Sequence, residues 1–335
     1  MSEYNAQIKK VVTQLVSVLN QRNREIISRR FGLKNGAKET LESIGSSYGI
    51  TRERVRQIEE ASLAQMCESL QNSDNALAKP FVVFTRDILN ANGGVINEKE
   101  LFARFSGTMQ NSPANAALVF VLTLSDAFHR SQEDESFSTF WSLSKERASE
   151  FCGQVATLIS NLEKRKQVLA VQEVPEGVLS YLTISKNIGK NVFGHIGLTK
   201  WSEIKPRGVR DKSYLVLKRE GKPKHFREIT ELINTVNFGN RRAHVQTVHN
   251  ELIKDPRFVL VGRGMYGLSE WGYEPGTVKQ VIANLLRKEG PLSRDKIVAH
   301  VMSARLVKPN TIVLGMQDKQ LFYENNDGHI ALKEA

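Results

Sequence analysis

The sequence predicts a mainly α-helical protein with small β-hairpins, built from tandem helix-turn-helix and winged helix-turn-helix modules. Three observations predict it. Apolar residues recur at helical spacing from the N-terminus onward, glycine-bent helix pairs follow, and a unit ending in a hairpin repeats at roughly 60–70 residues. Repeats of so small a unit imply a string of modules and not one enzyme-sized core.

Over 5–20, Ile8, Val11, Val12, Leu15, Val16 and Leu19 mark one face of an amphipathic helix. A second helix spans 22–31 and ends near Gly32, and LKNGAK is a loop carrying Gly36. The block TLESIGSSYGITRERVRQIEEASLAQMCESL reads as helix, tight turn and long helix. The polar, Pro-ended QNSDNALAKP marks a boundary.

A repeat follows. GLTKWSEIKPRGVRDKSYLVLKREGKP (197–223) parallels GLSEWGYEPGTVKQVIANLLRKEGP (267–291), with Trp201 and Trp271 at matching positions. After Gly221 and Gly290 each copy runs a short loop, two helices and a two-stranded ending, FVLVGRGMYGLSEW in the first and LFYENNDGHIALKE in the second. Helix, helix, helix, hairpin is the order of a winged helix-turn-helix. A weaker third copy occupies 81–143, with a Gly-Gly loop and a hairpin whose tip, SQEDESFS, is acidic. That tip is either a solvated turn or an intramolecular mimic that shields a basic face. Residues 150–166 read as a helix, 168–184 as a short β-rich piece, and the remainder to 205 as a basic connector. The expected modules are therefore 1–72, 80–146, a linker at 147–205, 206–272 and 273–335.

The net charge of +11 and pI near 9.6 point to an anionic partner. Residues 186–225 alone carry 11 basic and 3 acidic side chains. This strip is either a solvated linker or a phosphate-contacting surface whose affinity would fall steeply with salt. No run approaches the roughly 18–20 apolar residues of a membrane span. The N-terminus has no signal-peptide pattern, and Cys67 and Cys152 are too few for a disulfide framework or a zinc quartet. The expectation is a cytoplasmic protein with reduced thiols and no membrane partner.

The stretch TRERVRQIEE (51–60) carries the functional argument. Thr51 can cap the helix. Val55, Ile58 and Ser62 face one way, while Arg52, Glu53, Arg56 and Gln57 share the opposite face. Leu41, Ile44 and Tyr48 of the preceding helix form an apolar stripe to pack on Val55 and Ile58, and Gly49 sits at the turn. A helix clamped on its apolar side and presenting long donors outward is built to enter a major groove. There arginine can bond guanine, glutamine can read adenine and glutamate can accept from cytosine. The plainer alternative is an exposed helix with incidental charges.

REIISRRFGL…TLESIGSSYGITRERVRQIEEASLAQM (24–66) resembles the fourth conserved region of bacterial RNA polymerase sigma factors of the primary-sigma family. The resemblance implies that Arg52, Glu53 and Gln57 face bases, that Arg54 and Arg56 lie near phosphates or base edges, and that Thr40 contacts backbone. In that family this helix reads a promoter element and the domain rests on the polymerase. Ser43 stands where the family has an acidic residue, which removes the capping box. The family's promoter-melting region has no counterpart here, so a chain unable to open promoters alone is expected. A second stretch, SYLVLKREGKPKHFREITELI…VHNELIKDPRFVLVGRGMYGLSEWG (213–272), resembles the HARE-HTH domain, a winged helix found in the delta subunit of some bacterial RNA polymerases. That family includes both DNA-binding and polymerase-binding members, and the candidate residues here are either contacts or simply a solvated face: Arg241, Arg242, His244, His249, Asn250 and, at the wing tip, Arg263.

GRGMYG (262–267) fits a dinucleotide-loop pattern, but RFVLV before it and LSEW after it make a hairpin and not a strand-to-helix turn. The histidines lack partners at ligand spacing, and no catalytic constellation stands out. No enzyme activity, cofactor or metal is expected. The predicted function is sequence-specific binding of double-stranded DNA in transcription, with RNA polymerase core as a partner. The alternatives are a delta-like polymerase accessory subunit, or the specificity component of a DNA-modifying system.

Overall fold

In a computed structural model, residues 2–71, 76–174, 178–236, 238–239 and 241–333 are described. The chain forms two compact units, Met1–Lys190 with Gly194–Thr199, and Asn191–Phe193 with Lys200–Ala335. The boundary expected within 71–80 falls partly on 72–75, outside the described residues.

The first unit begins with α1 (Ser2–Val16), α2 (Gln21–Phe31), α3 (Leu41–Tyr48) and α4 (Arg52–Gln71). The apolar stripe of α1 is as expected: Ile8, Val11, Val12, Leu15, Val16 and Leu19 are all buried. The helix itself stops earlier than expected, at Val16. Arg24 reaches back to donate to the carbonyls of Val16, Ser17 and Leu19, satisfying acceptors that a helix end leaves open. Asn20 then caps α2 by accepting from the Asn23 amide. Gly32 closes α2 in the left-handed region (φ 71°).

Next come α5 (Lys79–Ala91), β1 (Val95–Asn97), α6 (Glu98–Ser106), α7 (Pro113–Ser125), β2 (His129–Ser131) and β3 (Phe140–Ser142). The helix α7 is apolar all round and is buried from Asn115 through Leu122, so it lies at the centre. One core runs from Ile8, Leu15 and Met66 through Phe81 and Leu101 to Phe120 and Trp141, without a break between the N-terminal helices and those that follow. Below it, α8 (Lys145–Arg165), α9 (Val178–Ile184) and the hairpin β4 (Ile188–Lys190) and β5 (Ile196–Leu198) enclose a second cluster around Phe140, Phe151 and Ile188. Burial pushes the thiols of half-buried Cys67 and Cys152 up from the ordinary cysteine range, and both are free.

Residues 168–184 differ from the expected β-rich piece. They hold a turn of 3₁₀ helix at Val171–Glu173 and the helix α9, whereas the strands come later, inside the expected basic connector. A short apolar run such as VLSYLTI has no decisive period, and packing of Tyr181, Leu182 and Ile184 on Phe151 settles it as helix.

The second unit contains α10 (Val209–Glu220), β6 (Lys224–His225), α11 (Phe226–Val236), α12 (Val245–Lys254), β7 (Phe258–Gly262) and β8 (Met265–Leu268). It continues with α13 (Val278–Glu289), α14 (Arg294–Ala304), α15 (Pro309–Met316), β9 (Phe322–Glu324) and β10 (Ile330–Leu332). Each half has its own core, around Leu217, Ile229 and Val248 and around Val281, Ile297 and Ile312. The GRGMYG glycines turn the β7–β8 hairpin, with Gly264 at φ 70°.

One topology recurs three times: helix, short strand, helix, helix, hairpin. The sheet orders are β1-β3-β2 and β6-β8-β7, so the short strand pairs with the last strand of each hairpin. In the third copy an isolated bridge between Leu292 and Ile330 takes that place. The short strand is not legible in the sequence, because two or three residues carry no period of their own. No helix among the described residues is long and apolar enough to cross a membrane.

Candidate nucleic-acid interface

Ile26, Ile44 and Val55 are wholly buried and make a small core of their own, flanked by Leu41, Tyr48, Ile50 and Ile58. This is the stripe-on-stripe contact that the spacing predicts. Gly49 takes φ 64°, which a side chain would resist, and ends α3. Gly45, which the spacing does not single out, matters as much. A Cβ there would lie 2.6 Å from the Ile50 carbonyl oxygen, so only glycine lets α3 and the turn approach this closely. The signal was present as a small residue within a helical SIGSSYGI.

Thr40 is the N-cap of α3, its hydroxyl accepting from the Ser43 amide at 3.1 Å. The missing capping-box carboxylate leaves that half of the cap intact. Ser43 turns its own hydroxyl to Glu39 Oε2. Thr51 likewise accepts from the Arg54 amide at 3.1 Å at the start of α4.

A charged network that periodicity alone does not reveal fixes α2 against this pair. Arg29 donates to Glu39 through Nε and Nη2 and to Ser47 through Nη1. Arg30 donates to Glu59 on α4 and to the Glu39 carbonyl. Hydrogen bonding from Arg29 holds the Glu39 carboxyl below the usual carboxylate range. The Arg22 and Arg29 guanidinium groups both stand over the Tyr48 ring, at 5.5 and 5.7 Å. The sequence signal was the Arg-Arg pair at 29–30 facing Glu39 ten residues on.

On the outer face, Arg52, Glu53, Arg56 and Gln57 are all exposed, with Arg54 exposed to one side, while Val55 is buried beneath them. The face is not a bare set of cations. Glu53 accepts from Arg56 at 2.6 to 3.1 Å, and Glu60 holds the same guanidinium from the other side. Arg54 donates to the Gln57 side-chain oxygen at 3.1 Å. The hydrogen bond from Arg56 keeps the Glu53 carboxyl below its ordinary range. Exposed pairs of this kind are weak in water, so the donors are held ready and not locked away.

Residues 15–66 match the family model "Sigma-70, region 4". That span covers α2, α3, the Gly49 turn and most of α4, so the N-terminal helix-turn-helix is the part of the chain that is similar to this family. The chain is also 39% identical over 67 residues to RNA polymerase sigma factor RpoS of Coxiella burnetii (strain RSA 493 / Nine Mile phase I). The match takes in 20% of this chain and 19% of that relative, so the chain spans about a fifth of the relative's length.

Elsewhere, the described residues treat the candidate contacts differently. Arg241 and Arg242 line one cleft of about 350 Å3 in the second unit, at the approach to α12. Arg263 is exposed at the β7–β8 turn and does not line that cleft. Phe226 stacks on the His249 ring at 4.4 Å, which makes His249 part of the packing. Asn250 accepts from Gln246 within α12, and His244 is the N-cap residue. The basic strip is less free than its charge suggests: Arg210, Lys218 and Lys224 pair with Glu251, Glu203 and Glu220. Lys186 is bound by Glu133 and by the Asp134 carbonyl, so the acidic hairpin tip neutralises the first cation of the strip. Trp141 is buried, its indole N–H donating to Glu98, which also pairs with Arg130.

Proposed function

We propose that the chain binds double-stranded DNA sequence-specifically through α4 and acts with RNA polymerase core in transcription initiation or its regulation, in the cytoplasm and without a chemical step. The single observation that carries this is the outward face of α4. Five long polar side chains stand exposed around a buried Val55, on a helix-turn-helix whose helices are cross-linked by the Arg29, Arg30, Glu39 and Glu59 network. Cross-links between the helices reduce the ordering cost that falls on DNA binding. Arg52, Glu53 and Gln57 would meet base edges, Arg54 and Arg56 base edges or phosphates, and Thr40 and Thr51 the backbone at the helix starts. The Coxiella relative is named a sigma factor, which supports the transcriptional reading.

The threefold helix–strand–helix–helix–hairpin topology supports reading residues 206–272 and 273–335 as winged helices, the first of HARE-HTH type. These modules would serve as additional docking points for DNA or polymerase. The second reading, a delta-like polymerase accessory subunit, draws on those modules alone.

Selection of random duplexes by the purified chain at two salt concentrations tests the proposal. The expected result is one recovered motif that survives the higher salt and disappears in Arg52→Ala/Gln57→Ala. Recovery of unselected sequence, with binding vanishing at moderate salt, would overturn it.

A further inference from the structure

The cleft before α12 has a chemistry that the region 4 element does not explain. Lys212 from α10 and Arg241 and Arg242 from the segment ahead of α12 line it, together with Asn234, Phe238 and Gly239. Among the described residues none of these three cations is in an ion pair. The contrast lies within the same unit, where Arg257 pairs with both Asp211 and Asp255 and Lys218 pairs with Glu203. Lys212 instead holds its ammonium 5.6 Å from the centre of the Phe238 ring, a contact that orients a cation without neutralising it. Phe238 is braced in turn, edge to face, by Phe193 at 6.1 Å.

The residue that follows the arginines, Ala243, is tied down. The Asn234 side-chain amide donates to the Ala243 carbonyl at 3.1 Å and its oxygen accepts from the Ala243 amide at 2.8 Å. Both backbone groups of the residue next to Arg242 are thus tied to α11. Three uncompensated positive charges gathered in one concavity repel one another, and an anion placed between them relieves that repulsion.

We propose that the Lys212–Arg241–Arg242 cleft grips backbone phosphates of double-stranded DNA, giving the second unit its own sequence-independent hold. The proposal rests on the reading of the chain as DNA-binding but not on α4. Guanidinium groups suit the paired oxygens of a phosphodiester, and lysine supplies a point charge. A sugar-phosphate backbone offers such anions at the regular spacing that a lined cleft can follow. Asn234 is a positioning residue here, since it touches only the backbone of the arginine-bearing segment.

The test is fluorescence anisotropy of the full chain on a duplex of arbitrary sequence between about 50 and 200 mM salt. The variants are Lys212→Ala/Arg241→Ala/Arg242→Ala and, separately, Arg241→Lys/Arg242→Lys, each checked for an unchanged melting curve. The triple variant is expected to lower the slope of log affinity against log salt by roughly 0.9 for each phosphate that the cleft no longer neutralises. The lysine pair is expected to keep most of that slope. A triple variant with unchanged slope and affinity overturns the proposal. So does calorimetric binding of inorganic phosphate, or of a phosphoserine peptide, that the triple variant abolishes while its duplex binding is intact. Arg52→Ala/Gln57→Ala should remove sequence preference and keep the cleft's salt dependence, so failure at α4 and failure at the cleft are read separately.

Discussion

The Arg29 guanidinium meets the Glu39 carboxylate along its edge, Nε to Oε1 at 2.9 Å and Nη2 to Oε2 at 2.6 Å, tying α2 to the residue before the α3 cap. This two-point contact gives the helix-turn-helix a pH dependence whose sign is fixed. The folded state holds the Glu39 carboxyl below its ordinary value, chiefly through the Arg29 hydrogen bonds. Its stabilisation is complete above the unfolded carboxylate value of about 4.3 and is lost as pH falls through the depressed folded value. Glu39→Gln should therefore unfold earlier in urea than the parent near neutrality, and the gap should narrow steadily as pH is lowered into the acid range. A gap that stays constant with pH would mean that the ion pair contributes nothing.

The closeness of α3 to the following turn makes a second prediction. Gly45→Ala would gain about 1 kcal/mol of helix propensity. It would also force a methyl against the Ile50 carbonyl oxygen, 2.6 Å from the Cβ position. That neighbour is backbone, held by the Ile50 amide donating to the Gly45 carbonyl at 3.0 Å, so it yields poorly. The overlap should prevail, with a net loss of up to about 2 kcal/mol. DNA affinity should fall with it, since α4 starts two residues after Ile50. Equal or raised stability in chemical denaturation would contradict this.

These two positions show what is legible in the sequence and what is not. The amphipathic stripe of α1, the α3–α4 pair and its apolar contact, and the hairpin at Gly264 each follow from a period or a turn residue, so they are readable. The early end of α1 is not, because it depends on Arg24 folding back from the next helix. The strands at 188–198 lie hidden in a stretch whose charge is its one clear signal. At the candidate interface the exposed face of α4 is evident from spacing. The carboxylates that occupy Arg56 are visible as letters, but only the helix geometry shows both of them meeting one guanidinium.

That shared guanidinium supports a third prediction. Arg56 is divided between Glu53 and Glu60, so part of its charge is spent within α4. Glu60→Gln should release it toward DNA and raise affinity for non-specific duplex by about 2- to 5-fold at low salt, an effect that fades as salt rises. Glu68→Gln removes an exposed carboxylate on the same helix that has no ion pair among the described residues, and so controls for simple loss of negative charge. Equal gains from the two variants in anisotropy titrations would show that the Arg56 contact is irrelevant.

A fourth prediction concerns how the second unit holds its C-terminal half. Arg305 is almost wholly buried, and no carboxylate pairs with it among the described residues. Its guanidinium donates to the carbonyls of Gly276 and of Leu260 on β7, and burial lowers its pKa from the ordinary arginine value. Beside it the Leu306 amide donates to the Val261 carbonyl at 2.8 Å, and a Cβ at Gly262 would lie 2.9 Å from the Leu306 carbonyl oxygen. The segment after α14 thus lies along the open edge of β7, a position that would otherwise leave unpaired backbone groups. Arg305→Met keeps the bulk but leaves two acceptors without their donor, at a cost of about 1–3 kcal/mol. Hydrogen exchange should locate it: the Leu306 amide should exchange about 5- to 150-fold faster, while amides in α4 keep their parent rates. Unchanged protection at Leu306 would show that the hairpin edge is held by apolar packing and not by the buried guanidinium.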